Sequence, residues 1–257
     1  MIDRNPVRDK LRAGGTPIGV MAFDFFTPAL APILKEAGAE FVILDMEHSG
    51  AGIDTIKAQC ALARGAGLVP MARVPACLHH LIAPVLDAGA MGIMAPLVET
   101  REHAEILVNA CRYRPLGRRG LAFGLAHDGY APGAARAKMD AANESVLTIA
   151  LIESAKGIEN CDAILATPGL DLAWIGHFDL SDSLGRVEAF DDPRYVAAEK
   201  RLMEAARAAG KPLGWLVGTG VAARDAIARG FRCICIGHEL LVFRNAMARE
   251  FADARKT

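Results

Sequence analysis

Apolar residues along this chain gather into eight runs of strand length, each followed by a stretch in which apolar positions recur at helical spacing. The runs are PIGVMAFD (17–24), FVILDMEH (41–48), LVPMARVP (68–75), MGIMAPLVE (91–99), LTIALIES (147–154), LAWIGHFDLS (172–181), KPLGWLVG (211–218) and FRCICIGHE (231–239). Strands that alternate with helices in this way predict parallel βα units closing into an eight-stranded parallel (β/α)8 TIM barrel. A doubly wound open sheet is the other arrangement of such units, but no GxGxxG follows the first run. The longest interval without an apolar run follows the helix EHAEILVNACRY and includes RPLGRRGLAFGLAHDGYAPG (114–133), a connection long enough to be functional or interfacial. The last helix, about 239–256, carries Leu240, Phe243, Met247 and Phe251 on one stripe, which predicts packing against another element or another subunit. No repeat, low-complexity tract or linker divides the chain, so 1–257 reads as one domain.

Composition narrows the partners. The chain has 257 residues, and one such barrel takes about 250. The formal net charge is −1 with no basic block, which argues against nucleic acid and against an anionic membrane surface. No apolar run approaches the ~18 residues of a membrane span, and the first residues, MIDRNPVRDKLRAGG, hold no signal core. A cytoplasmic protein is expected. The six cysteines form no CxxC and read as reduced thiols, with Cys233 and Cys235 on one side of a strand.

In a barrel, chemistry belongs to the C-terminal ends of the strands. Asp24, Asp45, Glu47, His48, Arg73, Glu99, Glu153, Asp179 and His238 fall there. The fifth and sixth runs each close on an acid, Glu153 and Asp179. Two carboxylates from neighbouring strands can hold one hard divalent cation and leave positions for water and substrate. Arg73 ends an apolar run, where a guanidinium needs an anionic partner. A metal pair, an acid–base group and an anion stabiliser suit the making and quenching of an enolate beside a carbonyl. A Schiff-base mechanism would need a desolvated lysine on a barrel strand, whereas Lys156 lies beyond the fifth strand and Lys211 precedes the seventh. His79 and His80, early in a helix, read as surface residues. The GTG at Gly218–Gly220 reads as a tight loop before a phosphate cradle, and Arg118 and Arg119 as interfacial or solvated.

The segments FVILDMEHSG, MARVP, LDAGAMGIMAPLVE, CRYRPLGRRG, LIES and WIGHFDLSDSLG resemble, in order and spacing, the HpcH/HpaI family of metal-dependent class II pyruvate aldolases (2,4-dihydroxyhept-2-ene-1,7-dioate aldolase-like). The likeness runs from about residue 17 to the C-terminus. It implies a homohexamer, a trimer of dimers that exchange the last helix. It also implies reversible aldol cleavage and addition between a 2-oxo acid (pyruvate or hydroxypyruvate) and an aldehyde. Carried over by position, Glu153 and Asp179 match the ligands of Mg²⁺, Mn²⁺ or Co²⁺, and Arg73 the residue that steadies the enolate oxygen. His48 matches the acid–base residue, supported by Asp45. Asp87 matches an Asp that enters from the neighbouring subunit. Gly176 and the amides of Phe178 and Asp179 match the substrate-carboxylate site. Two positions depart from the pattern: Leu151 stands where Gln is usual, and His177 where Pro is usual. Alternatives of the same superfamily are a citryl- or malyl-type CoA-ester lyase and an oxaloacetate decarboxylase. A non-catalytic barrel that binds a keto acid is a third.

Overall fold

The computed structural model describes residues 4–256. Its eight strands are β1 (Ile18–Ala22), β2 (Phe41–Asp45), β3 (Val69–Arg73), β4 (Gly92–Ala95), β5 (Leu147–Ile152), β6 (Leu172–Ile175), β7 (Leu213–Val217) and β8 (Cys233–His238). All pair in parallel with their sequence neighbours, and β8 pairs with β1 to close the barrel. Each strand lies inside its predicted run. Helices α1 (Pro6–Arg12), α2 (Leu30–Glu36), α3 (Ile53–Gly65), α4 (His79–Asp87), α5 (Arg101–Cys111) and α6 (Ala135–Ser145) precede β5. Helices α7 (Ala155–Glu159), α8 (Cys161–Leu165), α9 (His177–Ser183), α10 (Pro193–Ala208), α11 (Gly220–Arg229) and α12 (Glu239–Ala254) follow it.

The strand period of two sorts the apolar residues into two cores. Val42, Leu44, Ala72, Ile93, Ala150 and Ile152 face outward and pack under the helices. Phe41, Ile43, Val69, Met71, Leu147, Ile149 and Leu151 fill the barrel interior, together with Trp174, Cys233 and Cys235. Trp174 lies across Gly214 of β7, where any Cβ would collide with the indole ring. The same alternation continues to the strand ends. Asp45 follows Phe41 and Ile43 on the inward parity, Arg73 follows Val69 and Met71, and Glu153 follows Ile149 and Leu151. The polar residues at the mouth are therefore the top layer of the barrel filling.

The first residues are more than a charged arm. Asn5 caps α1 by accepting from the amides of Val7 and Arg8, and its Nδ2 donates to the carbonyls of Met91 and Ser145. Val7 joins the interior core, so α1 closes the bottom of the barrel. At the other end of the chain, Glu239 is the buried residue of α12. Val242, Phe243 and Phe251 are exposed, with Phe243 edge-on to Phe25 at 5.7 Å. The predicted apolar stripe is thus largely left open in one chain. Among the described residues no helix is long and apolar enough to cross a membrane. The cysteines are free, and burial pushes the Cys60 thiol up to about 12.

The sixth run differs from its prediction. Strand β6 stops at Ile175, Gly176 turns the chain, and His177 begins α9. Asp179 therefore arrives on the first turn of a helix and not on a strand.

Candidate active site

Arg73 is the fixed point of the barrel mouth. Asp45 and Arg73 share a rung of the β2–β3 ladder, and the Arg73 Nε donates to Asp45 Oδ1 at 2.5 Å. Its Nη1 lies 3.2 Å from Glu47 Oε2, and Phe23 lies against the guanidinium at 5.6 Å. Asp45 is completely buried, so the pair is desolvated and each charge depends on the other. The second oxygen of Asp45 accepts from the backbone amide of His48 at 2.7 Å. Asp45 thus supports His48 through the main chain. The His48 ring itself is exposed, with Nε2 at 3.8 Å from Glu47 Oε2.

Glu153 is 4% exposed. Its Oε1 accepts from the amide of Leu97 at 2.8 Å, and Leu97 holds a left-handed backbone (φ 50°). That conformation costs about 1–3 kcal/mol for a residue with a Cβ; here it aims an N–H at the acid. On the other side lies Gly176, where an added Cβ would come within 2.5 Å of both Glu153 Cβ and Oε2. Only glycine admits the carboxylate there. Gly176→Ala should displace Glu153, costing roughly 1–3 kcal/mol of stability from overpacking. Divalent-ion affinity should fall with it, as a Mn²⁺ titration beside a urea melt would measure.

Burial, with neighbouring negative charge, raises two of these acids. Burial, with Asp179 and Glu47 adding repulsion, pushes the Glu153 carboxyl up to about 7. Burial also raises Glu47, and the charges of Asp45 and Asp179 add to it while Arg73 opposes. Asp45, Glu47, Glu153 and Asp179 thus share one arginine. Glu47 Oε2 is buried without a hydrogen bond. Such a surplus of hard oxygen donors fits a divalent cation. Among the described residues no set of three His, Cys, Asp or Glu side chains is already drawn around one point, so solvent and substrate would complete the coordination of an ion on Glu153 and Asp179.

A cavity of about 300 Å³ unites His48, Arg73, Glu153, Gly176, Phe178 and Asp179. Leu151 and His177 line it too. Burial drops His177 to about 4; Trp215 Nε1 donates to its Nδ1 at 3.3 Å, so the ring proton of the neutral form sits on Nε2. Of the other predicted site residues, Asp45 is buried behind Arg73, off the cavity wall but in contact with that side chain, and Asp87 is remote from the group. It ends α4, next to the start of β4, at the opposite end of the barrel from the site. There it accepts from Arg119 Nη2 at 2.7 Å, so of the interfacial and solvated roles expected for Arg119, the solvated one does not hold: its side chain is buried against an acid. His79, His80 and Arg118 are exposed, as expected. In the GTG segment Thr219 caps α11 through the amide of Ala222. Lys156 pairs with Glu99, and Lys211 donates to the Leu170 carbonyl; no lysine lines the cavity.

Two functional contacts escaped the sequence reading of the site. Glu47 was visible as part of D-x-E-H, but its contact with Arg73 depends on the turn after β2. Glu239 binds the amides of Phe23, Asp24 and Phe25 at 2.6–3.1 Å and so holds the β1 loop over the mouth. Nothing local in the sequence marks a long-range acceptor of that kind.

A parallel barrel whose C-terminal mouth gathers acids around a pinned arginine is the architecture of a (β/α)8 enzyme. Residues 20–246 match the HpcH/HpaI aldolase/citrate lyase family. The chain belongs to that family and is a lyase. It is 35% identical over 248 residues to a hydroxypyruvate/pyruvate aldolase of Chromohalobacter salexigens, covering 95% of each chain. It is 33% identical over 229 residues to the 5-keto-4-deoxy-D-glucarate aldolase of Escherichia coli, covering 89% of this chain and 88% of the other. The crystal structure of an HpcH/HpaI aldolase from Desulfitobacterium hafniense superposes with a TM-score of 0.92 at 26% identity, over 97% of this chain and 96% of that one.

Proposed function

We propose that this chain is a divalent-metal-dependent aldolase that joins pyruvate or hydroxypyruvate to an aldehyde and cleaves the product in reverse. The observation that carries the proposal is the convergence of Glu153 and Asp179 on one cavity with the Arg73 ion group. The aldolase names of the 33% and 35% identical relatives support it. Glu153 and Asp179 would hold Mg²⁺, Mn²⁺ or Co²⁺. When bound, the ion supplies Lewis acidity that polarises a chelated 2-oxo acid and acidifies its C3 protons.

The remaining work falls to the protein. Arg73, with Nε on Asp45 and Nη1 toward Glu47, keeps its guanidinium fixed while negative charge grows on the C2 oxygen. The first amides of α9, at Phe178 and Asp179, lack carbonyl partners within the helix and suit the substrate carboxylate. His48, exposed at the mouth, is placed to move the proton. In the addition direction C3 loses one proton, the C3–carbon bond forms, and the aldehyde oxygen gains one proton, so no net proton is consumed. General acid–base transfer of this kind contributes about 10²–10⁴ in rate. The proposal extends to a cytoplasmic homo-oligomer, a trimer of dimers that exchange the last helix and bring Asp87 to a neighbouring site. The open Val242, Phe243 and Phe251 surface and the buried free thiols support that part.

Deuterium exchange into the C3 position of pyruvate tests the proposal without an aldehyde. Exchange should fall to the background rate after EDTA and dialysis and return with Mn²⁺. Exchange that survives complete metal removal would remove the ion from the mechanism.

A further inference from the structure

We infer that this chain carries an anion site at the bottom of the barrel, built to take the phosphate group of a small phosphate monoester. The site lies beyond the aldolase reading and does not depend on it. A cavity of about 270 Å³ opens where α10 and α11 end and β7 and β8 begin. Arg207, Lys211, Arg229 and Arg232 line it, and no carboxylate does. The whole chain holds 29 basic and 30 acidic side chains, so this excess of one sign is local. The mouth that gathers Arg73, Glu153 and Asp179 is at the other ends of the strands, and so is the phosphate position common in barrels.

Two of the cations are held by neutral partners. Lys211 Nζ donates to the Leu170 carbonyl at 2.6 Å. Arg232 Nη1 donates to the carbonyls of Ile227 and Phe231 at 3.0 and 2.9 Å, while its Nε and Nη2 have no acceptor among the described residues. The Arg207 side chain makes no hydrogen bond or ion pair among the described residues. Carbonyls orient a cation without cancelling its charge. Of the four, Arg229 alone pairs with an acid, Glu199, and it also lies over Trp215 at 5.3 Å.

The charge balance selects the ligand. Arg207 and Arg229 stand in the last turns of α10 and α11, where a helix end presents roughly half a negative charge. Two such ends and Glu199 together offset about two of the four cations. A surplus of about two positive charges remains, and it repels itself until an anion binds. A phosphate monoester brings about −1.5 to −2 and three acceptor oxygens, whereas a monocarboxylate brings a single charge. The free N–H groups of a guanidinium fork match phosphate oxygens in geometry as well as in charge. Pockets for drug-sized ligands begin near about 300 Å³, so this one admits a small ester and not a nucleotide.

Neither region proposed for subunit contact walls this cavity. Helix α12 leaves the top of β8, and Asp87 lies beside β4, which stands across the ring from β8.

Equilibrium dialysis of the full-length, Mg²⁺-loaded enzyme against glycerol 3-phosphate tests the site, with saturating pyruvate present to occupy the mouth. Saturable binding at one site per chain is expected, with inorganic phosphate competing and acetate at equal ionic strength failing to compete. Arg207→Gln and Arg232→Gln should each weaken binding about tenfold or more, the scale of one charge-assisted contact. C3 deuterium exchange should stay at the wild-type rate in both. Arg207 touches no partner in the protein, so its variant separates lost binding from lost folding, and a urea melt of that variant should match the wild type. Unchanged affinity in both variants would overturn the inference, as would the absence of saturable binding in the millimolar range. Acetate competing as well as phosphate would also overturn it, and so would binding of inorganic phosphate without the ester. A wild-type enzyme lacking C3 exchange would strike the aldolase reading and leave this site standing.

Discussion

Glu153→Gln should abolish metal-dependent turnover while leaving the barrel folded. Loss of one charge-stabilising donor costs about 10²–10³ in rate, and here the change also removes one of two carboxylates proposed to hold the ion, so a loss of 10³ or more is expected, again to order of magnitude. The amide oxygen of Gln can still accept from Leu97, which is why the fold should persist. The substitution has a second signature in pH. In the metal-free protein the Glu153 carboxyl sits at about 7, above its ordinary value of 4.5. Between those pH values the folded state keeps a proton that the unfolded state has lost. Stability contributed by this group is therefore present below 4.5 and declines as pH rises to about 7, by roughly 3 kcal/mol at most. Metal-free Glu153→Gln should lack that decline and be the more stable protein at pH 8. Adding Mn²⁺ to the wild type at pH 6 should release protons, and affinity should fall about tenfold for each pH unit below 7. Urea melts across pH and a proton-release titration check both signs. Equal pH slopes in the two proteins would show that Glu153 is ionised throughout.

Arg73→Ala should produce the largest loss of stability. It leaves the fully buried Asp45 without its cation, and removing one partner of a buried pair costs about 3–5 kcal/mol. Glu47 loses its nearest cation at the same time. Activity should fall with the fold, so the informative companion is Arg73→Lys. An ammonium can pair with Asp45 but cannot span Asp45 and Glu47 with separate nitrogens. Arg73→Lys should recover most of the stability while kcat/KM for aldol cleavage stays about 10²–10³-fold down. If Lys restores both, charge alone suffices and the planar fork is dispensable.

Much of this site was legible because a barrel strand writes its orientation in its own alternation. Phe41, Ile43 and Asp45, or Ile149, Leu151 and Glu153, share a parity that survives folding unchanged, and direction along the strand places the acid at the catalytic end. Asp179 was harder. The run LAWIGHFDLS is apolar enough to read as one strand; that it breaks at Gly176, where Glu153 fills the space a Cβ would take, depends on a neighbour from another strand. Asp87 has no local mark of its position: its register in α4 puts it at the far end of the same barrel, where Arg119 holds it.

The order of strands, the inward parity and the residues at each C-terminal end were set by the sequence alone, because periodicity and chain direction are local properties. Closure of the barrel decided the rest. It brought the Leu97 amide to Glu153, Glu239 to the loop after β1, and Trp215 to His177. Each of these joins segments dozens to more than two hundred residues apart. Contacts of that span depend on shape and space around the ring, which no single segment contains.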